Sequence, residues 1–432
     1  DLRKKILFTL FILLIYRLAS HIPVPGVNQS ALASLFAGTT ATSQLANIIN
    51  LLSGGSVSNF SVLAMGVYPY VTAQIILQLL IGVIPALEKM MREEGSAGRK
   101  KIERYTYILT VPMAALSAIG QIRIFESGSG GAPIITNFGV AGYELSTLSV
   151  IITMTAGTMF AIWLGDLITQ QGVGQGISII IFGGIVSRLP QNIAQLLADP
   201  TRAVGSLIAF IIIVILIITV IVFIQEGERR IPVQYGKRVR GRRVFGGGST
   251  HIPLKVNMAG MIPLIFAQSI LTLPAILAQF LANSPDPNIA NFFAGIRDIF
   301  SGGRTSLSFI YWLFMFLLVV GFTYFYTDVM VQQQNLPDSL QKQGGYIPGI
   351  RPGTRTEEYL NGVTRRITLV GALFLGGIAV LPFLISVTGL IANATTFSIL
   401  STGLLIVVGV VLDTIRQLEA QLTMRHYEGF IK

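Results

Sequence analysis

Residues that could carry out catalysis or bind a metal ion are few in this sequence and poorly spaced for either task. Cysteine is absent, which excludes disulfide bonds, thiolate metal sites and cysteine nucleophiles. The three histidines, His21, His251 and His426, are too far apart to form a local metal-ligand motif. Asp166 could supply one carboxylate of an intramembrane aspartyl protease, but it falls at a predicted helix end and no predicted membrane span supplies a second. The sequence therefore predicts a protein that is not an enzyme and has no cofactor or metal site.

The glycine-rich segments lack the spacing of phosphate-binding loops. Gly236 and Lys237 are followed by arginine, whereas a P-loop requires serine or threonine after the lysine. Gly172, Gly174 and Gly176 do not form a G-x-G-x-x-G motif, so a loop hinge is the better interpretation. The predicted membrane spans also lack the buried charged residues that usually couple a transporter to protons or ions. Any driving energy must therefore come from a partner.

The composition is that of a membrane protein. Of the 432 residues, 52% are apolar and only 12% are charged, whereas about 25% of the residues in an ordinary soluble domain are charged. A water-soluble fold of this length could not cover its surface with so few charges. We therefore expect an all-α membrane protein, because a helix satisfies its backbone polar groups internally and lipid offers them no partner.

Stretches without charged residues mark the predicted membrane spans. A helix that crosses about 30 Å of hydrocarbon needs about 20 apolar residues, and a charge at its centre costs about 2.5–3.5 kcal/mol. The charge-free stretches predict ten transmembrane helices, an even number, so both termini lie on one side. The predicted spans are 6–16, 62–87, 105–122, 145–165, 167–187, 203–225, 256–285, 305–327 and two helices within 367–412.

Basic residues are distributed unevenly between the two sides of the predicted bundle. The termini and the loops on their side hold 25 of the 31 Lys and Arg residues, and the opposite loops hold six. The positive-inside rule then makes the basic side cytoplasmic. We therefore expect a multi-pass protein with both termini in the cytoplasm and with two long basic cytoplasmic loops, 225–256 and 328–366.

The loop 225–256 is too long and too basic to be a simple connector. Its valine and isoleucine positions alternate with polar ones on either side of residues 235–237, which predicts a β-hairpin with its turn there. One interpretation is that these positive charges set the orientation of the protein in the membrane or contact anionic lipid headgroups. The other is that they dock to a polyanionic partner such as RNA or an acidic protein. The basic residues on this predicted hairpin are Arg229, Arg230, Lys237, Arg238, Arg240, Arg242 and Arg243.

The segment 52–63 lies within a long charge-free stretch, but it is too rich in small residues to be read as a membrane span. One interpretation is a surface loop. The other is a short re-entrant helix packed inside the bundle, where irregular backbone is tolerated because protein surrounds it. Gly54 and Gly55 would give such an element its mobility.

Several motifs occur in a fixed order along the chain. They are Ser53-Gly-Gly, 65–80 (MGVYPYVTAQIILQLL), 94–101 (EGSAGRKK), 157–165 (GTMFAIWLG), 174–182 (GQGISIIIF), 249–260 (STHIPLKVNMAG) and 348–353 (PGIRPG). Together they resemble the bacterial SecY family of protein-conducting channels, from the first span to the C-terminal tail. The resemblance implies two pseudo-symmetric halves, 1–190 and 191–415, around an hourglass pore, with a cytoplasmic tail at 416–432.

The resemblance also assigns roles to particular residues. It implies a pore ring of six apolar side chains: Val67, Val71, Ile177, Ile181, Ile265 and Ile406. The two valines stand at positions where isoleucine is common in the family. It implies a plug over 53–63, including Ser53, Gly54, Gly55, Ser56, Asn59 and Leu63. It implies a lateral gate at Ile75, Gln78, Asn257 and Gln268. The docking surface would consist of the seven basic hairpin residues together with Arg351.

By this resemblance, we expect a channel in the cell membrane that passes unfolded polypeptides bearing signal sequences and releases hydrophobic segments sideways into lipid. The implied partners are SecE and SecG subunits, the SecA motor ATPase, the ribosome, the translocating polypeptides and membrane lipids, including anionic headgroups. Hydropathy equally permits a secondary transporter for a small solute. A structural scaffold for other membrane subunits is the third alternative.

Overall fold

The structure of the chain is a computed structural model, and it is helical over most of its described length. The described residues are 2–37, 50, 56–93, 95–128, 133–135, 138–139, 142–187, 190, 203–235, 238–240, 243–245, 249–281, 287–300, 308–334, 336–388 and 394–428. The predicted plug residues Ser53, Gly54 and Gly55 and the predicted docking residues Lys237 and Arg242 lie outside them.

The first part of the chain forms helices of very different lengths. They are α1 (Leu2–Ala19), α2 (Gln29–Ala37), α3 (Tyr68–Val83), α4 (Pro85–Glu93), α5 (Ser96–Gly128), α6 (Glu144–Gln171) and α7 (Gly176–Val186). A 3₁₀ turn, Ser56–Asn59, precedes α3.

The second part of the chain combines helices with short strands. Its elements are α8 (Ala203–Glu226), β1 (Glu228–Tyr235), β2 (Arg238–Arg240), β3 (Arg243–Phe245), β4 (Ser249–Lys255), α9 (Ile262–Leu281), α10 (Pro287–Phe300), α11 (Ser308–Gln334), α12 (Leu336–Lys342), β5 (Gly345–Tyr346), α13 (Thr354–Thr388) and α14 (Ala394–Glu428).

Each of the ten predicted spans coincides with a helix: α1, α3, α5, α6, α7, α8, α9, α11, α13 and α14. Among the described residues, four helical segments are both long and apolar enough to cross a membrane. They are Ala97–Arg123, Glu144–Gln171, Phe309–Val331 and Thr354–Leu381. Shorter apolar segments occur in α3, α7 and α8.

The predicted helix end at Asp166 is wrong. Helix α6 continues to Gln171, and α7 begins only at Gly176. The carboxylate of Asp166 accepts a hydrogen bond of 2.7 Å from the Tyr107 hydroxyl of α5, so the helix can pass through an ionisable residue. The boundary between these two helices therefore lies at residues 172–175, later than the charge pattern suggested.

The β-hairpin predicted in the first basic loop is present, but its tip lies beyond residues 235–237. Strand β1 pairs with β4 in antiparallel register, from Glu228 with Lys255 to Gln234 with Ser249. Strands β2 and β3 continue that register, because Arg240 pairs with Arg243. The two strand pairs therefore share one register, and the tip of this ribbon follows Arg240 and precedes Arg243.

The two predicted basic loops meet in a single sheet. Strand β5, from the second loop, pairs with β1 and gives a three-stranded sheet in the order β4-β1-β5. The inner face of this sheet covers a small hydrophobic core with the start of α13. Its buried members include Ile231, Val233, Leu254, Leu340, Ile347, Leu360 and Val363. We call this end of the bundle the sheet side.

Two large hydrophobic cores stabilise the helices away from the sheet. The first combines α2, the turn before α3, α5 and α6, and includes Leu32, Phe60, Ile122, Phe125 and Met154. The second combines α8, α9, α11, α13 and α14, and includes Ile221, Leu264, Val319, Leu375 and Leu405. The buried members of the first core all precede residue 155, and those of the second all follow residue 216.

Candidate functional site

Two helices and the residue before a third bring predicted pore-ring residues into one buried cluster. Val67 immediately precedes α3, Ile181 lies on α7 and Ile406 lies on α14, and all three are at most 8% exposed. Ile177, one turn before Ile181, packs against them. We call this group the central cluster. It also contains residues of α1 and α6, so it lies where α1, α3, α6, α7 and α14 meet.

The other two predicted ring residues lie next to the central cluster. Val71 is one turn beyond Val67 on α3, and it packs against a neighbouring cluster that includes Ile75 and Phe266. Ile265 on α9 is 8% exposed and follows Leu264, which belongs to the core of the second part of the chain. All six side chains are therefore aliphatic and at least partly buried, but they divide between adjoining groups.

The described part of the predicted plug is buried inside the bundle. Ser56, Val57, Phe60 and Leu63 are fully buried, whereas the Asn59 side chain is exposed. Since the surface-loop interpretation requires exposed side chains, residues 56–63 contradict it. They form one 3₁₀ turn instead of a re-entrant α-helix. Phe60 follows that turn with φ of 42°, a left-handed conformation that ends the helical path.

Backbone hydrogen bonds hold this buried segment to the chain after α1. The Val24 amide donates to the Phe60 carbonyl at 3.0 Å, and the Val62 amide donates to the Ile22 carbonyl at 2.9 Å. Leu63 belongs to the central cluster, so the segment and the ring residues are in one continuous packed region.

A cavity of about 240 Å³ lies on the sheet side of the central cluster. It is lined by Gln175, Ser178, Lys255, Val410, Asp413, Thr414, Arg416 and Gln417. Ser178 directly follows Ile177 on α7, and Val410 is one turn beyond Ile406 on α14. The cavity therefore adjoins the central cluster through Val410, and Leu63 of the segment 56–63 belongs to the same cluster.

The predicted gate residues lie where α3 approaches α9. Ile75 of α3 packs in a buried cluster with Ala259 and Phe266, from the start of α9 and the turn before it. The Asn257 amide Nδ2 donates to the Gly260 carbonyl at 3.1 Å. The Oδ1 atom of Asn257 and the Oε1 atom of Gln78 are buried and have no hydrogen-bond partner in the part of the chain that the structure describes.

The fourth predicted gate residue, Gln268, is 7% exposed on α9. This α3–α9 interface therefore combines an apolar contact with buried amide groups.

These elements can be compared with known proteins. A family model described as SecY matches residues 61–415 of this chain. The chain belongs to the SecY family. A Protein translocase subunit SecY of Streptomyces scabiei is 41% identical over 437 residues, covering 100% of this chain and 97% of the relative. That of Thermotoga maritima is 42% identical over 435 residues, covering 100% and 95%.

The fold is also similar to solved SecY-type channels. A structure described as Sec61 in the canine ribosome–channel complex from the endoplasmic reticulum superposes with a TM-score of 0.59 at 18% identity. The alignment covers 97% of this chain and 92% of that one. The sequence-based resemblance to the SecY family is confirmed, and the helical bundle of this chain has the SecY-type fold of a multi-pass membrane protein.

The predicted docking residues of this SecY-family chain lie on the sheet side. Arg229 and Arg230 are exposed at the start of β1, and Arg230 Nε forms an ion pair of 2.7 Å with Glu228 Oε1. Arg238, Arg240 and Arg243 lie on the two strands at the ribbon tip.

Arg351 is exposed between α12 and α13, in the same loop as β5. Gly349 and Gly353 on either side have φ of 82° and 106°, values that glycine adopts without the strain of a side chain. The Thr356 hydroxyl donates to the Arg351 carbonyl at 3.0 Å. This loop therefore presents the Arg351 side chain from an ordered backbone next to the sheet.

Charged groups around the cavity mouth are a feature that the sequence did not reveal. Arg416 Nη2 of α14 donates to Glu226 Oε1 at the end of α8, at 2.7 Å. Desolvation lowers the pKa of Lys255, at the base of the ribbon, and the Arg416 guanidinium lowers it further, although nearby carboxylates such as that of Asp413 oppose this. The ribbon therefore interacts electrostatically with α14 through Lys255 and Arg416, which are 161 positions apart and which no local motif could connect.

Proposed function

We propose that this chain is the channel subunit of a preprotein translocase. It passes unfolded polypeptides that carry signal sequences across the cytoplasmic membrane and releases hydrophobic segments sideways into the lipid. The observation that carries this proposal is the order of three elements: a polar cavity on the sheet side, the aliphatic residues of the central cluster, and the buried segment 56–63.

The aliphatic constriction suits a passage for polypeptide. A ring of Val and Ile side chains can exclude water and ions at rest, because an apolar constriction dewets. The same side chains offer a passing chain no charged group or hydrogen-bonding site on which it would stall. A secondary transporter would instead need a polar solute site at this depth, whereas all six predicted ring positions hold valine or isoleucine.

The wider architecture follows from this function. All ten helices that coincide with predicted spans cross the membrane, with both termini and the sheet in the cytoplasm. The residues 1–190 and 191–415 form two halves around an hourglass pore, and 416–432 forms the tail. The separation of the two large cores along the chain supports this division.

Segment 53–63 acts as the plug of the resting channel, and α3 and α9 form the lateral gate. Burial of Val57, Phe60 and Leu63 supports the plug. Unpaired amide oxygens at Gln78 and Asn257 support the gate, because a buried polar atom without a partner weakens an interface by about 1–3 kcal/mol. A gate needs such a weak interface, because it must open.

The sheet side is the docking surface for the ribosome and for the SecA motor, and SecE and SecG subunits complete the complex. The exposed arginines of β1, the basic ribbon tip and Arg351 support docking, since together they concentrate positive charge on one face. A ribosome offers RNA phosphates, and a motor protein can offer acidic side chains. Anionic lipid headgroups contact the bases of the same loops.

Photocross-linking of a stalled precursor tests the proposed pore. A photoreactive residue at Ile181 or Ile406 should cross-link to the precursor, because both side chains line the constriction. The matched controls are Val411 on α14 and Phe223 on α8, which are 39% and 78% exposed on apolar helix faces. These positions should cross-link to lipid alone. Precursor adducts at the controls but not at the ring would refute the proposed path.

Phe60→Ala is expected to raise ion leak through the resting channel severalfold. Phe60 is fully buried, and its ring packs edge-to-face against Phe125 at 5.8 Å, so truncation leaves a cavity and loosens the plug. Conductance of reconstituted vesicles measures the leak. The control is Phe36→Ala, because Phe36 contacts the same ring from α2, at 6.3 Å. Equal leak from both variants would contradict the plug assignment.

Arg351→Glu is expected to reduce motor-driven export tenfold or more, while the amount of protein in the membrane stays unchanged. Reversing a docked charge costs about 2–5 kcal/mol in a buried charge pair, and the exposed Arg351 contributes little to folding. Export of a labelled precursor into vesicles is the measurement. Arg355→Glu, also exposed and nearby in sequence, is the control. Normal export by the Arg351 variant would exclude its docking role.

A further inference from the structure

Helix α10 carries an apolar stripe that the rest of the described chain leaves partly uncovered. Its apolar residues recur at the spacing of one helix face: Ile289, Phe292, Phe293, Ile296 and Phe300. Phe292 is 65% exposed and Ile289 is 41% exposed. The only charged residues of this helix are Arg297 and Asp298. Exposed aromatic residues on an amphipathic helix mark an interaction surface.

The position of α10 identifies what covers this stripe. The helix connects the end of α9 with the start of α11, so it lies at the end of the bundle opposite the sheet. The ring of Phe300 lies 6.3 Å from that of Phe314 on α11. The outward residues of α11 are apolar and 44–58% exposed: Phe309, Leu313, Phe314 and Leu317.

An exposed apolar face on a membrane-spanning helix is in contact with acyl chains. Since Phe314 is part of that face and contacts Phe300, the stripe on α10 continues the lipid-contacting surface of α11. Contact of the largely exposed Phe292 ring with water is unfavourable, whereas the acyl chains that contact α11 lie next to this ring. The near-absence of charge on α10 excludes attraction to anionic headgroups as the main force.

We infer that α10 is an interfacial helix that lies in the leaflet opposite the sheet, with Ile289 and Phe292 inserted at the boundary between headgroups and acyl chains. Amphipathic helices with aromatic and aliphatic residues on one face bind membranes in this way. Because α10 directly follows α9, this insertion anchors the outer end of α9 in lipid. The effect on the gate rests on the proposed function, whereas the insertion itself does not.

Tryptophan fluorescence of the full chain in lipid vesicles tests the insertion. The chain contains two tryptophans, and Trp163→Phe with Trp312→Phe removes both. A single probe is then introduced as Phe292→Trp or, as the matched control on the opposite face, as Asn291→Trp. We expect blue-shifted emission and at least threefold quenching by phosphatidylcholine brominated near the headgroup end of its acyl chains for Phe292→Trp alone.

Each other result overturns the inference. Water-like emission from Phe292→Trp would show that the stripe is exposed to solvent. Blue-shifted emission without quenching by brominated lipid would show that a protein covers it, and a dependence on protein density would identify a second copy of this chain. Equal quenching of both probes would place the whole helix too deep for an interfacial orientation.

A second measurement separates the anchor from the gate. Cysteines at Gln78 and Asn257 report on the α3–α9 interface through their rate of modification by a water-soluble maleimide. Phe292→Asp should raise that rate severalfold relative to Asn291→Asp, because it releases the outer end of α9. An unchanged rate together with normal quenching would disprove the effect on the gate and leave the insertion established.

Discussion

Cross-linked cysteines at Gln78 and Asn257 are expected to abolish translocation almost completely. The two residues lie on either side of the α3–α9 interface, where Ile75 packs against Ala259 and Phe266. If a signal sequence must separate these helices to enter, a covalent bond between them removes the entry step. The chain has no native cysteine, so the introduced pair is the only one available.

The expected effect is large if this interface is the gate. Two buried amide oxygens, at Gln78 and Asn257, have no hydrogen-bond partner among the described residues, and each such atom costs about 1–3 kcal/mol. A hydrophobic segment of about 20 residues that reaches the opening can then partition into lipid. A short bismaleimide would prevent this separation, whereas each single cysteine variant should translocate normally.

Translocation of a labelled precursor into vesicles, before and after cross-linking, measures the effect. The control pair is Phe309→Cys with Phe383→Cys, which joins α11 to α13 within the second part of the chain, where the two rings lie 6.3 Å apart. Cross-linking this pair should leave translocation unchanged. Unimpaired translocation by the cross-linked gate pair would refute the assignment of α3 and α9 as the exit.

The positions of the helices were predictable because the membrane imposes a local rule. A charge inside a span is costly, so charge-free stretches reveal spans one at a time, without knowledge of their neighbours. The helix end predicted at Asp166 shows where this rule fails. The partner of Asp166, the Tyr107 hydroxyl, lies on another helix, and a sequence pattern cannot show that this hydrogen bond lets α6 continue past the carboxylate.

The ribbon formed by β1 to β4 shows the same limit more clearly. Alternation along β1 correctly indicated a strand, but the turn depends on which residues pair across the ribbon. The pairing of Val239 with Val244 extends the ribbon beyond the expected turn. The addition of β5, more than 100 residues away, follows from the shared core under the sheet and from no local signal.

The ring residues were identifiable only through the resemblance to the SecY family. Valine and isoleucine are common throughout the spans, so the residue type at Ile181 or Ile406 does not distinguish a pore from ordinary helix packing. The structure adds what residue type cannot, because it places Val67, Ile181 and Ile406 from distant parts of the chain in one cluster. Which side chains face a passing polypeptide is what the photocross-linking experiment measures.

Gly157→Ala is expected to lower the free energy of unfolding by about 3 kcal/mol or more, a large effect for one methyl group. A Cβ atom at Gly157 on α6 would overlap the carbonyl oxygen of Val62, directly after the plug turn. The backbone at Val62 cannot move away easily, because its amide donates to the Ile22 carbonyl. Met154 and Thr158, beside Gly157 on α6, are fully buried, so the helix cannot shift either.

Thermal unfolding of the purified chain in detergent, together with protease sensitivity, measures this loss. Gly120→Ala on α5 is the matched control, because a Cβ there would meet no atom within 4 Å. Alanine at that position should leave stability unchanged or raise it by about 0.5–1 kcal/mol through its better helix propensity. Equal stability of the two variants would show that α6 and the plug segment do not pack against each other through this backbone contact. The larger Gly157→Leu change should prevent accumulation of folded protein, because no rotamer of leucine avoids the Val62 carbonyl while Cβ itself overlaps it.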